Sequence, residues 1–170
     1  LEQRRLRVQV EEMIELVNCL EQTMPNRMIA KVINDQIIEL QKAMLDLEDG
    51  NPDAIEASIR VREELAEALL DPSTRQPITY QRESDAQIAK TQLHLNDAVK
   101  LLQEASATGA ISDAEYTSYV NELRWAYLMV SVMSYMGQGD KSMMISDRIS
   151  AIAFYRKAQQ LLMESMHQDP

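Results

Sequence analysis

The residues that could carry out chemistry are few, because the chain has two histidines and one cysteine among 170 residues. Metal chemistry in a helical protein needs Glu-x-x-His pairs and further inward carboxylates, so that the ligands converge. Only Glu164-Ser-Met-His167 has this spacing, close to the end of the sequence, and His94 has Thr91 where the glutamate would be. We therefore expect no metal site and no cofactor.

Nucleophilic and acid–base catalysis require a nucleophile or a base beside an orienting group. Cys19 and the two histidines lie on separate predicted helices, so their spacing suggests no catalytic triad. The charges near Cys19 are Glu15 and Glu21, whereas reactive thiols lie among cations. Gly137-Gln-Gly139 lacks the Lys-Ser/Thr of a phosphate-binding loop and follows no predicted strand. We expect a protein that is not an enzyme.

The composition is typical of a helical protein, with four glycines, five prolines and 5% aromatic residues. The length suits one domain, residues 1–170, with a hydrophobic core. A net charge of −10 would repel a phosphate backbone, so nucleic acid is not expected as a partner. A lone cysteine, with no pattern of a cleavable signal peptide, favours the cytoplasm.

Apolar residues recur at helical spacing through the first half of the chain. The first helix is predicted from a seam with alternating spacings of four and three, which Pro25 interrupts: Leu6, Val10, Met13, Val17, Leu20 and Met24. A second helix is predicted to end at Glu48-Asp49-Gly50, and Asn51-Pro52 begins a third. Residues 71–83 form the longest break in periodicity and are the best candidate for a flexible connection.

Capping boxes mark the starts of two later helices. Ser84 with Gln87 begins the fourth helix, which Gly109 ends, and Ser112 with Glu115 begins the fifth. Residues 137–140 are predicted to end the fifth helix. A sixth is expected over residues 142–166, with six inward residues: Ile145, Ile149, Ile152, Tyr155, Leu162 and Met166.

The fifth predicted helix contains an uncharged run, residues 125–136, that is apolar on every face. A helix that is apolar all round should be enclosed by its neighbours. We therefore expect Trp125 to be substantially buried, with the rest of the chain packed around this run.

Six helices joined mostly by short breaks predict an all-α protein of three antiparallel αα-hairpins. They could close as a helical bundle or stack as a short solenoid of the tetratricopeptide-repeat type. Ala151, Tyr155 and Ala158 resemble the small-aromatic-small spacing in the second helix of such a repeat. The resemblance covers one helix, and the matching residues of the repeat's first helix do not appear in register.

Two sets of residues are candidates for binding a partner. The first set lies at the start of the seam and consists of Leu6, Val10 and Met13. If the first helix extends beyond the second, these residues would be exposed and could pair with a second copy of the chain or with another helix. The alternative is that the seam packs inside the domain. The second set consists of methionines, whose flexible thioethers suit varied partners but also fill cores: Met129, Met133, Met136, Met143 and Met144.

These features predict an adaptor or scaffold domain that binds a protein partner, or a second copy, through its first helix. Arg4, Arg5 and Arg7 are locally basic in an acidic chain, which suits the cytoplasmic flank of a preceding membrane anchor. The domain would then be tethered to the inner face of a membrane, and the alternative is a charged helix start. A second hypothesis is a sensor or small-molecule-binding domain with a pocket between the fifth and sixth helices.

Overall fold

The computed structural model describes the backbone of residues 1–168 and the side chains of residues 1–166. The described residues contain no strand and form six α-helices, which confirms the predicted all-α fold. The helices are α1 (Glu2–Thr23), α2 (Arg27–Asp46), α3 (Asp53–Leu70), α4 (Asp85–Ala107), α5 (Asp113–Met144) and α6 (Arg148–Gln168).

The helices pack mainly against their neighbours in sequence. α2 packs against α1 and α3, and α5 packs against α4 and α6. The two halves, α1–α3 and α4–α6, meet where α4 lies against α1 and α2. As a result α3 and α6 lie at opposite ends of the array, each with one principal helical neighbour.

The core is centred on α1, α2 and the inward faces of α4 and α5. Its largest fully buried side chains include Val17, Leu20, Ile29, Ile33, Ile37, Leu95, Leu102, Leu123 and Val130. The periodic stripes of the first two helices supply most of them, because each helix buries the face that the pattern marks as apolar.

The seam of α1 is buried along its whole length, including Leu6, Val10 and Met13. Leu6 and Val10 therefore do not project beyond α2, and of the two alternatives for the seam the structure has the one in which it packs inside the domain. The Gln3 side chain donates hydrogen bonds to the Met44 carbonyl and the Glu48 carboxylate, so the end of α2 reaches back to the start of α1. The two helices cover each other, and these residues belong to the core.

Residues 71–84 cross from α3 to α4 with one 3-10 turn, Pro72–Thr74. The Arg82 guanidinium donates hydrogen bonds to the hydroxyls of Thr23 on α1 and Thr91 on α4. The Arg82 backbone N–H donates to the hydroxyl of Ser134 on α5. The segment that was the candidate for a flexible connection is thus bonded to three helices.

The glycine-containing stretch 137–140 does not end α5, which continues to Met144. Gly137 lies against the side chain of Gln81, and Gly139 lies against the ring of Tyr155. A Cβ atom at Gly139 would be 2.5 Å from Cε1 of that ring. The predicted break is therefore wrong, because these glycines allow close packing inside a helix.

α5 is not enclosed on every side. Trp125 is 56% exposed, and Tyr127 and Met136 are also exposed, whereas Ala126 and Val130 are buried. α4 and α6 each cover one side of α5 and leave a further side open. The expectation that Trp125 is buried is therefore wrong.

Substitutions at Ile33 and Trp125 should separate core from surface. Ile33 is 0% exposed, so Ile33→Ala should lower the free energy of unfolding by about 2–5 kcal/mol. Trp125→Ala should lower it by about 1–2 kcal/mol, because more than half of the surface of this residue is already in water. Urea unfolding followed by circular dichroism measures both, and equal losses would place Trp125 in the core.

Candidate functional site

A group of exposed apolar side chains lies at the turn between α5 and α6. Met144 is 85% exposed, Ile145 77% and Ile149 85%, and Met143 and Ile152 are exposed as well. We call Met143, Met144 and Ile145 the hairpin tip. Large apolar side chains gathered in this way mark interaction surfaces in soluble proteins.

A second row of exposed side chains runs along α6. We call it the α6 stripe, and it consists of Ile149, Ile152, Arg156, Gln159, Met163 and Met166. Four of these residues are large and apolar. The predicted orientation of α6 is therefore wrong for Ile149, Ile152 and Met166, which face solvent, and Leu162 is also exposed.

Small residues explain why α6 turns its large side chains outward. Ala151 and Ala158, one heptad apart, are the buried residues of its inner face. Tyr155, beside them, lies on Gly139 and donates a hydrogen bond to the Asp140 carboxylate, at 2.6 Å. Small contact residues bring two helices close together, and the half-buried Phe154 and Leu161 pack against the core on either side of this contact.

The turn before α6 fixes the direction of the hairpin tip. Ser146 adopts a positive φ of 63°, in the left-handed region that few residues other than glycine occupy. The Asp147 carboxylate accepts hydrogen bonds from the backbone N–H and the hydroxyl of Ser150. These bonds lower the pKa of Asp147, and they cap the first turn of α6.

The predicted partner-binding residues are divided between surface and interior. Met143 and Met144 lie in the hairpin tip, and Met136 is exposed on α5. Met129 and Met133 are half-buried on α5. The outward face of α6 was not predicted from the sequence, where its local sign is the heptad spacing of Ala151 and Ala158 on the inner face.

Charge is distributed unevenly between this surface and the rest of the chain. Residues 1–135 hold 13 Lys and Arg against 23 Asp and Glu, whereas residues 136–168 hold four against three. Lys141 pairs with Glu83, and Lys157 lies 4.2 Å from the centre of the Tyr135 ring. Among the side chains that the structure describes, no carboxylate pairs with Arg156.

A groove of about 950 Å³ lies between α4, α5 and the end of α6. Its lining combines apolar side chains such as Leu161 with the polar side chains of Gln92 and Asn96. Trp125 lines this groove and also a smaller one beside Pro25. The only tryptophan of the chain therefore borders two concave surfaces.

The candidate chemical residues do not converge in the part of the chain that is described. Glu164 is exposed, and the side chain of His167 lies outside the described residues. Burial raises the pKa of the Cys19 thiol, although a hydrogen bond with Thr23 and the charge of Arg82 partly oppose this. Within the described residues, no group of three His, Cys, Asp or Glu side chains could hold a metal ion.

No helix in residues 1–168 combines the length and the apolar character needed to cross a bilayer. In comparisons with protein families, curated proteins and solved structures, no family, protein or structure matches this chain.

Gly139→Ala tests the close contact between α5 and α6. An alanine in a helix normally gives about 1 kcal/mol more stability than glycine. Here the added methyl group would collide with the Tyr155 ring, so the free energy of unfolding should fall by about 1–3 kcal/mol.

The matched control for this prediction is the same substitution in a Tyr155→Ala background. With the ring removed, Gly139→Ala should be neutral or stabilising, and the double-mutant cycle measures the difference. A gain in stability in the wild-type background would show that the two helices are not in close contact at this position.

Proposed function

We propose that the protein is a non-enzymatic helical adaptor or scaffold domain, which binds a protein partner through the hairpin tip and the α6 stripe. The observation that supports this proposal is the exposure of Met144, Ile145 and Ile149 beside a capped turn. Burying one such side chain is worth about 1.5–3 kcal/mol. A partner that covers all three would gain a substantial part of its binding energy from them.

The position of the binding surface differs from the one expected from the first helix. Leu6, Val10 and Met13 are buried, so they contribute to stability and offer no free surface. Of the second candidate set, Met143 and Met144 are part of the proposed binding surface. Ile149 and Ile152 are added to it. The proposed partner-binding surface therefore lies at the opposite end of the chain.

We also propose that the domain lies in the cytoplasm, where a lone thiol such as Cys19 stays reduced. Arg4, Arg5 and Arg7 give a basic start to an acidic chain. Such a cluster suits the inner surface of a membrane, whose lipids carry negative charge. In this arrangement α1 would begin near the membrane.

Site-specific photo-cross-linking in cells tests the adaptor function. A photoreactive amino acid at Ile149 should give a discrete cross-linked product with another protein, because this side chain lies in the proposed interface. Val61 on α3 is the matched control, since it is also apolar and exposed, and it should give no such product. Equal products from both positions, or none from Ile149, would contradict the proposal, and a product between two copies would replace it with self-association.

A second candidate function is small-molecule binding in the groove between α4, α5 and α6. Its volume of about 950 Å³ is within the range of ligand pockets. Its lining offers apolar contacts from Val99 and Leu161 together with the amide of Asn96 and the charged side chains of Arg124 and Glu164. This combination suits a small ligand with one polar edge.

Fluorescence of Trp125 tests this second function, because the ring lines the groove. A library of small drug-like fragments should contain members that change the emission with saturation. Asn96→Arg should abolish the change by filling the groove, whereas Gln103→Arg, on α4 but outside the lining, should preserve it. A library without any saturating fragment would rule against the groove as a ligand site.

A further inference from the structure

The α6 stripe has the spacing of a helix-pairing seam. Its members, Ile149 to Met166, are separated by three, four, three, four and three residues, and all are exposed. This is the alternation of the apolar seam in paired helices. α6 therefore has one face of small residues packed on α5 and a second seam that no described helix covers.

The stripe is long enough to hold another helix. It covers about 18 residues, or roughly 27 Å at the helical rise of 1.5 Å per residue. That length corresponds to about five helical turns. A helix seated there would lie on α6 as α6 lies on α5, and would continue the array by one member.

The centre of the stripe is polar, and this restricts the occupant. Arg156 and Gln159 separate Ile149 and Ile152 from Met163 and Met166. The nearest acidic residue on α6, Glu164, accepts a hydrogen bond from Gln160. In a paired-helix seam, one polar or charged residue selects the partner and the register, because it needs a complementary group opposite.

A second copy of α6 does not offer that group. A parallel pair would place Arg156 against Arg156, and an antiparallel pair would place the two guanidinium groups about one helical turn apart. The stripe contains no carboxylate to neutralise them. Like charges inside an apolar interface oppose pairing.

A lipid surface fits the stripe poorly as well. A helix that lies in a bilayer interface keeps its charged residues on the face towards water. Arg156 lies within the apolar row and would be drawn towards the acyl chains. A protein helix can instead present an acceptor to Arg156 while covering the apolar residues on both sides.

We propose that the α6 stripe binds an amphipathic helix of another protein, whose apolar seam is interrupted near its centre by an Asp or Glu opposite Arg156. This inference rests on the proposed adaptor function and specifies the chemistry of its partner. The carboxylate would accept hydrogen bonds from the guanidinium, a pairing whose planar groups match each other.

Designed helical peptides of about 20 residues, the length of the stripe, test this inference. They share an Ile/Leu seam and differ at one central seam position, which holds Glu in one peptide and Lys in the other. Fluorescence anisotropy with the full chain should show at least about tenfold tighter binding of the Glu peptide. The variant Arg156→Glu should reverse this order.

Two exposed positions provide matched controls for the location of binding. Ile149→Ser should abolish binding of the Glu peptide, because it removes an apolar contact at one end of the stripe. Leu70→Ser, at an exposed position on α3, should leave binding unchanged. Equal loss from both variants would overturn the assignment to α6.

Other outcomes separate failure of this inference from failure of the adaptor function. Equal binding of the Glu and Lys peptides, lost in Ile149→Ser, would overturn the charge specificity and leave the adaptor function standing. Absence of binding by both peptides would overturn the helix partner. A wild-type dimer that Ile149→Ser dissociates would also overturn the helix partner, in favour of a second copy. Co-sedimentation with phosphatidylcholine–phosphatidylglycerol vesicles that Ile149→Ser abolishes would overturn it in favour of a lipid surface. The adaptor function itself is tested separately, by the photo-cross-link from position 149.

Discussion

The hydrogen bonds of Arg82 join the two halves of the fold. Its guanidinium donates to the hydroxyls of Thr23 and Thr91 and to the carbonyls of Thr79 and Gln81. Thr23 and Thr91 are buried, and buried polar groups need partners. Because α4 begins three residues after Arg82, these bonds also fix the place where the second half starts. From that junction α4 runs against α1 and α2, where its buried side chains complete the contact between the two halves.

The contacts between successive helices hold α6 in place, but the side chains of the proposed binding surface contribute little to those contacts. α6 adds Ala158 to the main core cluster and packs Phe154 and Leu161 against it, and Tyr155 of α6 contacts Gly139 of α5. The large side chains of the α6 stripe make none of these buried contacts. The buried contacts and the proposed binding surface therefore lie on different faces of one helix, so substitutions on the outer face need not repack the core.

Local signals in the sequence predicted most helix boundaries, because caps act within a few residues. Ser112 and Glu115 form the expected capping box, and Gly109 has the positive φ that ends α4. The predictions failed where the outcome depends on another element. The glycine at 139 marks a close contact with Tyr155, which the sequence around it does not reveal. The orientation of α6 also depends on another element. Periodicity identifies the apolar positions of a helix, but it does not show that alanines, rather than isoleucines, meet the neighbouring helix.

The exposed faces of α3 and α6, at the two ends of the array, differ in their number of acidic side chains. The outer part of α3 carries exposed Glu63, Glu64 and Glu67 beside the exposed apolar side chains of Val61 and Leu70. The exposed side of α6 carries Ile149, Ile152 and two methionines around a single arginine, and Glu164 is the acidic residue of this helix. Leaving these side chains in water gives up the free energy that their burial would provide. The helix that we propose as the partner would cover these side chains and give α6 a second helical neighbour.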